Sequence, residues 1–253
     1  MQETAQITEM PRKPEAVEAP SEPPKEKEQT EQIYDAEARN RFAYRVRHGG
    51  AVYDTAHIFE PVSDDRYMQW LRAFRIRGDE SNIQEETNEA TLALWEDLIV
   101  EVENVESSSE NWKAQLPFSE KIESVQDYLA VAVADGAEEA SGKRILTDDL
   151  RQVVFTEAYF NGKITRQKHT LREPTFEQKK KYARVEAKRW RQERTKGLKR
   201  KPRVEFVPQD EKLGDLYDEL LISVEGFARD IVPLRFKTTV VDEIFAGVLD
   251  EKK

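Results

Sequence analysis

Apolar and polar residues alternate in two stretches that each lead into a glycine turn. Phe42, Tyr44 and Val46 alternate ahead of His48-Gly49-Gly50, and Val52 to Phe59 read as the return strand. Val153 to Phe160 run into Asn161-Gly162, a pair whose residues both accept the positive φ of a tight hairpin turn. Glu60-Pro61 and Glu173-Pro174 then end the return strands, because proline removes a ladder donor and restricts its neighbour. A helix is predicted after each proline, capped by Ser63 with Asp64 and Asp65 in one case and by Thr175 with Glu177 in the other. A second helix carries Leu94, Trp95, Leu98 and Ile99 on one face and is expected to stop near Asn104, its counterpart near Gly226. A last helix is predicted from about Ser119 to Val133, and again from about Thr238 to Leu249.

The two series are copies. Shifted by 113 residues, Phe42 falls on Phe155, His48-Gly49 on Asn161-Gly162 and Glu60-Pro61 on Glu173-Pro174. At a shift of 122, Leu94-Trp95-Glu96-Asp97-Leu98 falls on Leu216-Tyr217-Asp218-Glu219-Leu220. At 116, Pro117, Lys121, Val125 and Ala130 fall on Pro233, Lys237, Val241 and Ala246. Three blocks in one order are the mark of an internal duplication. The expected fold is α+β: two tandem homologous small domains, 41–133 and 154–249, each a β-hairpin followed by about three helices, joined by a linker over 134–153. Residues 1–40 hold five of the eleven prolines, no glycine and one aromatic, Tyr34, so they are expected to form a disordered acidic tail.

Composition narrows the chemistry. The chain has no cysteine, which excludes disulfides, thiol nucleophiles and cysteine-ligated metals. Its apolar share of 38% is lean, and no apolar run reaches the roughly 20 residues that span a bilayer. Met1-Gln2-Glu3-Thr4 has neither the basic start nor the apolar stretch of a signal peptide. The expectation is a cytoplasmic protein that does not engage a membrane.

The copies diverge after the proline. The first helix is apolar there, with Tyr67, Met68, Trp70, Leu71, Phe74 and Ile76. The second is basic: Lys179, Lys180, Lys181, Arg184, Lys188, Arg189 and Arg191, with Tyr182 and Trp190 interleaved, continuing through Lys199, Arg200, Lys201 and Arg203. Thirteen bases face Glu186 and Glu193 in that segment, in a chain whose net charge is -10. Three readings stay open: a solvated helix answered by its own chain, a site for an acidic protein surface, and a phosphate-binding face with stacking aromatics. The strong overall negative charge weighs against nucleic acid.

Residues for catalysis are scarce. The three histidines, His48, His57 and His169, fall in a turn and on two return strands, and His57 and His169 are not equivalent in the ungapped alignment. None makes the helical i, i+4 pair of a zinc hydrolase. Glu96, Asp97, Glu101 and Glu103, like Asp218, Glu219 and Glu225, alternate with an apolar helix face as solvent-facing residues do. No GxGxxG, GxxxxGK[ST] or GxSxG pattern occurs. The expectation is a protein without catalytic residues, metal or cofactor.

One resemblance emerges. A hairpin, then Leu171-Arg172-Glu173-Pro174-Thr175, then a helix, the Leu-[Trp/Tyr]-[Glu/Asp]-x-Leu block and Val102-Glu103-Asn104 or Val224-Glu225-Gly226, resembles the small tail assembly chaperones of long-tailed bacteriophages. The first copy has Ile58-Phe59-Glu60-Pro61-Val62 at that place, and the family has one short domain where this chain has two copies and a tail. The resemblance implies a role in the host cytoplasm, binding the tape-measure protein and keeping its apolar helices soluble until the tail tube forms. Trp70, Phe74, Trp95 and Trp112 are then the candidates for an apolar client groove, ordinary core packing being the other reading of each. Two rivals remain: a structural component retained in a viral particle, and a nucleic-acid-binding accessory protein acting through 179–203. Homo-oligomerisation is left open.

Overall fold

Asn40–His48 (β1) and Ala51–Phe59 (β2) pair antiparallel around the first glycine turn, and Arg151–Phe160 (β5) and Lys163–Arg172 (β6) around the second. The structure, a computed structural model, describes residues 33–48, 50–73, 80–105, 111–134, 151–193 and 203–246. Residues 1–32, which make up most of the expected tail, lie outside these. Asn161 and Gly162 take φ of 47° and 87°, the paired positive values that a two-residue hairpin turn requires.

Each hairpin leads into a helix: Asp64–Ala73 (α1) in the first repeat and Phe176–Arg189 (α5) in the second. The caps are those expected. Ser63 Oγ accepts from the Arg66 N–H at 3.3 Å, and Thr175 Oγ1 from the Gln178 N–H at 3.3 Å. Glu80–Leu98 (α2) and Asp210–Leu220 (α6) follow, and each gives way at once to a strand, Ile99–Glu103 (β3) or Leu221–Glu225 (β9). The expectation that these helices run on to Asn104 and Gly226 is therefore corrected. Those residues, at φ of 59° and 90°, end strands that pair with β2 and β6. Ile99 and Val102 supply β-branched side chains that pack as well on a sheet as on a helix, and the free ladder of the return strand decides.

The last helices, Phe118–Leu129 (α4) and Leu234–Phe245 (α7), begin straight after Pro117 and Pro233; α4 ends before the expected Val133, and the expected end of α7 at Leu249 lies outside the described residues. A short helix, Trp112–Gln115 (α3), precedes α4. Between α5 and α6 the second repeat inserts a small hairpin, Trp190–Glu193 (β7) with Arg203–Phe206 (β8).

Strand pairing fixes how the repeats correspond. Asn40 faces Phe59 and Gln152 faces Leu171; both ladders shift after the next-to-last pair, between Ile58 and Phe59 and between Thr170 and Leu171. The hairpins and the helices after them thus correspond at an offset of 112, one less than the sequence match suggests, and Gly49-Gly50 stands for Asn161-Gly162. The second helices and third strands keep the offset of 122, and the last helices that of 116.

The chain is α+β, with β1-β2-β3 forming one antiparallel sheet, and β5, β6 and β9 another that gains Ala132–Ala134 (β4) on its β5 edge. Trp95, Phe59, Leu98 and Val125 centre one core; Tyr217, Leu213, Leu216, Phe236 and Phe245 centre the other. The described residues do not divide into two separate units. Ala134, placed in the expected linker, pairs with Phe155; Arg151 to Val153, also placed there, belong to β5. All described residues fall in one compact unit. Tyr34, expected in the tail, is 3% exposed: its N–H donates to the Gly226 carbonyl at 3.0 Å and its ring packs on Phe160, Phe227 and Phe236.

Candidate functional site

The basic helix α5 is mostly answered by its own chain. Lys179 lies 3.8 Å from Glu173, Lys180 lies 3.2 Å from Glu177, and Lys181 pairs with Glu219. Arg189 is the centre of an ionic staple across three helices. Its guanidinium reaches Asp242 at 2.9 Å, Glu186 at 3.2 Å and Asp210 at 3.6 Å, and Tyr182 donates its hydroxyl to Asp242 at 3.2 Å. Burial works against the Arg189 charge, but the three carboxylates more than offset it and hold its pKa above the usual value. Burial raises the Asp210 carboxyl, with Arg189 pulling the other way. Arg184 and Lys188 are exposed and make no ion pair among the described residues. Trp190 and Arg191 lie in β7 and Arg203 in β8, with side chains outside the described set; Lys199, Arg200 and Lys201 lie wholly outside it. Of the twelve basic-segment candidates, then, Lys179 to Arg189 share one helix, and its acidic neighbours neutralise much of its face.

The aromatic candidates do not converge on a groove. Trp95 is 0% exposed and belongs to the first core, so it offers no surface to a client. Trp112 packs edge-on against it at 6.4 Å, half-buried, and Lys113 lies over both rings. Trp70 is half-buried and donates its indole N–H to Thr91 Oγ1 at 3.2 Å. Phe74 lies outside the described residues.

The histidines are more informative than the sequence suggested. His57 faces Val102 and His169 faces Val224, so the two stand at equivalent places, against the ungapped alignment. Both are 0% exposed. In each repeat the aromatic residue one turn before the helix end, Trp95 or Tyr217, reaches the imidazole Nδ1, at 3.2 Å and 2.7 Å. An indole N–H can only donate, so the His57 Nδ1 accepts and the ring proton sits on Nε2, 3.3 Å from Glu120 Oε1. The same tautomer holds in the second repeat. Thr156 donates its hydroxyl to Gln167 and therefore accepts from His169 Nε2 at 2.9 Å. Burial drives the His169 pKa down to about 4; it also lowers that of His57, with Glu120 opposing.

Ser124, His57 and Glu120 have the residue types of a hydrolase triad, with Ser124 Oγ at 3.0 Å from Nδ1. The arrangement is a core network instead. Nδ1 already accepts the Trp95 indole N–H, the one Ser124 hydroxyl proton has the Lys121 carbonyl as its acceptor at 2.9 Å, and Ser124 is 2% exposed. Among the described residues no group of His, Asp and Glu could hold a metal ion.

What the surface does present is apolar and local. Ala51 to Asp54 are all exposed, with Val52 at 57% and Tyr53 at 49%, and Ile164 near the other hairpin's turn is 69% exposed. An open depression of 240 Å³ beside the first hairpin is lined by Arg41, Ala43, Arg45, Asp54, Thr55 and Asn104. No helix among the described residues is long and apolar enough to cross a membrane. No protein-family model, no curated protein and no solved structure matches the chain.

Proposed function

We propose that the protein is a non-enzymatic assembly factor that binds a protein client, in the manner its resemblance to phage tail assembly chaperones implies. The observation that carries this reading is the pair of hairpin ends with unpartnered apolar side chains, Val52 and Tyr53 on one and Ile164 on the other. Two like contacts on one chain suit a long, repetitive helical client such as a tape-measure protein, because linked weak sites hold a client yet release it. The histidine networks fit a structural part in this reading, since they are sealed in the two cores. Much of the α5 charge is already paired, which leaves nucleic acid the weaker alternative.

The test is a pull-down of the full chain from its native cells, with and without nuclease, compared with a Val52→Asp, Tyr53→Asp, Ile164→Asp variant. The expected result is a long, helix-rich client that survives nuclease and is lost with the variant. Nucleic acid recovered in place of a protein, or a client retained by the variant, overturns the reading.

A further inference from the structure

The contact between the two repeats is heterologous: it uses the α1 side of the first and the α6–α7 side of the second. Asp64 on α1 accepts the N–H of Leu234 at the start of α7 at 2.8 Å, and Arg72 on α1 pairs with Glu211 on α6 at 2.8 Å. The strand after α4, β4, adds to the edge of β5. A heterologous contact between two homologous units leaves one unused copy of each surface on every chain. A two-fold contact would have consumed both.

The unused surfaces can be named from the structural correspondence. Arg184 stands where Arg72 does, and Glu89 where Glu211 does, so the charged pair of the internal contact is conserved in type at both free faces. Both are exposed, and the pair is not made within the chain, for neither has an ion pair among the described residues. Phe176 stands at the place of Asp64 and Phe118 at that of Leu234. They are 70% and 49% exposed, whereas Leu234, whose N–H the internal contact engages and whose side chain lies beside Gly214 of α6, is 6% exposed.

We propose that the internal contact is repeated between chains, the α5 face of one copy docking on the α2–α4 face of the next copy. Arg184 then meets Glu89, and Phe176 covers Phe118. The partner is a second copy of this chain, and the product is a head-to-tail ring or filament. The tip contact does not carry over: Tyr159 and Asn161, which reach Ala43, Asn40 and Arg41, have Arg47 and Gly49 at the equivalent places. The helix faces carry the association.

Sedimentation equilibrium of the full chain over a range of concentrations and salt tests this. The wild type is expected to exceed its monomer mass of 29.4 kDa, increasingly with concentration and less so in high salt. Arg184→Glu and Glu89→Arg are exposed changes that leave the fold intact by circular dichroism. Each alone places like charges across the contact and is expected to weaken self-association about tenfold or more. An equimolar mixture of the two restores it, because the chains alternate with every junction complementary. Phe176→Ser weakens it as well. A monomer at every concentration, or an oligomer that both charge changes leave untouched, or a mixture no larger than its components, overturns the proposal.

Discussion

His57 and His169 occupy one position twice, and the duplication kept the base while changing its surroundings. In the second repeat, donors run in one direction from the Tyr217 hydroxyl through His169, Thr156 and Gln167 to Thr165, which donates to the Ala158 carbonyl at 3.0 Å. Burial disfavours the charged imidazole and holds its pKa near 4. The unfolded chain takes a proton below about pH 6.5, and the folded chain not until about pH 4. The unfolded state therefore binds more protons in that window, so stability falls as pH drops through it, by roughly 3 kcal/mol from this one group. Urea denaturation between pH 7 and pH 4 should show a slope that His169→Gln makes shallower by about that amount. Equal slopes would mean that His169 is not held neutral. His57, lowered by burial but opposed by Glu120, should contribute in the same direction.

At the scale of elements, Asn104 and Gly226 hold the same left-handed position at the end of a third strand, for different reasons. Asn104 donates its side-chain amide to the Asp54 carbonyl at 3.0 Å. Gly226 has no room: a Cβ there would lie 2.5 Å from the Arg166 carbonyl oxygen. Gly226→Asn should therefore cost more than about 2 kcal/mol, and Asn104→Gly less than about 1 kcal/mol, by urea denaturation. Comparable costs would show that the backbone approach at Gly226 is not limiting. These strands also mark the limit of what pattern alone reveals. The hairpins and capped helices were legible because alternation, Asn161-Gly162, Ser63 and Thr175 act locally. In Leu98-Ile99-Val100-Glu101-Val102 a helical face and a strand alternation overlap, and only pairing with β2 decides. The matched Glu-Pro pairs misled by one residue, because Val62 and Pro174, not Pro61 and Pro174, fill the same buried place. That slip hid the equivalence of the histidines. The charge of α5 was legible, but its answer was not: Asp210 and Asp242 reach Arg189 from distant elements.

For the whole molecule, the decisive feature is that two cores share one junction. Arg235, 4% exposed on α7 of the second repeat, lies over the Tyr128 ring of the first at 5.3 Å and hydrogen-bonds the Tyr34 hydroxyl. Tyr159 of the second repeat packs on the first core, its ring tilted against Phe42 with ring centres 4.4 Å apart. Opening one repeat thus strips partners from the other, including the Tyr128 ring from the buried Arg235 guanidinium. The chain should unfold as one cooperative unit. Its tryptophans make this measurable, for Trp70, Trp95 and Trp112 belong to the first repeat and only Trp190 to the second. Leu216→Ala removes a side chain that is 0% exposed in the second core and should cost about 2–5 kcal/mol. If the repeats are coupled, the tryptophan fluorescence midpoint falls together with the circular dichroism midpoint in a single transition, although the lesion lies in the other core. If fluorescence keeps its wild-type midpoint while ellipticity splits into two steps, the repeats are independent domains after all. The head-to-tail contact would then be a loose copy of a loose junction rather than the extension of a firm one.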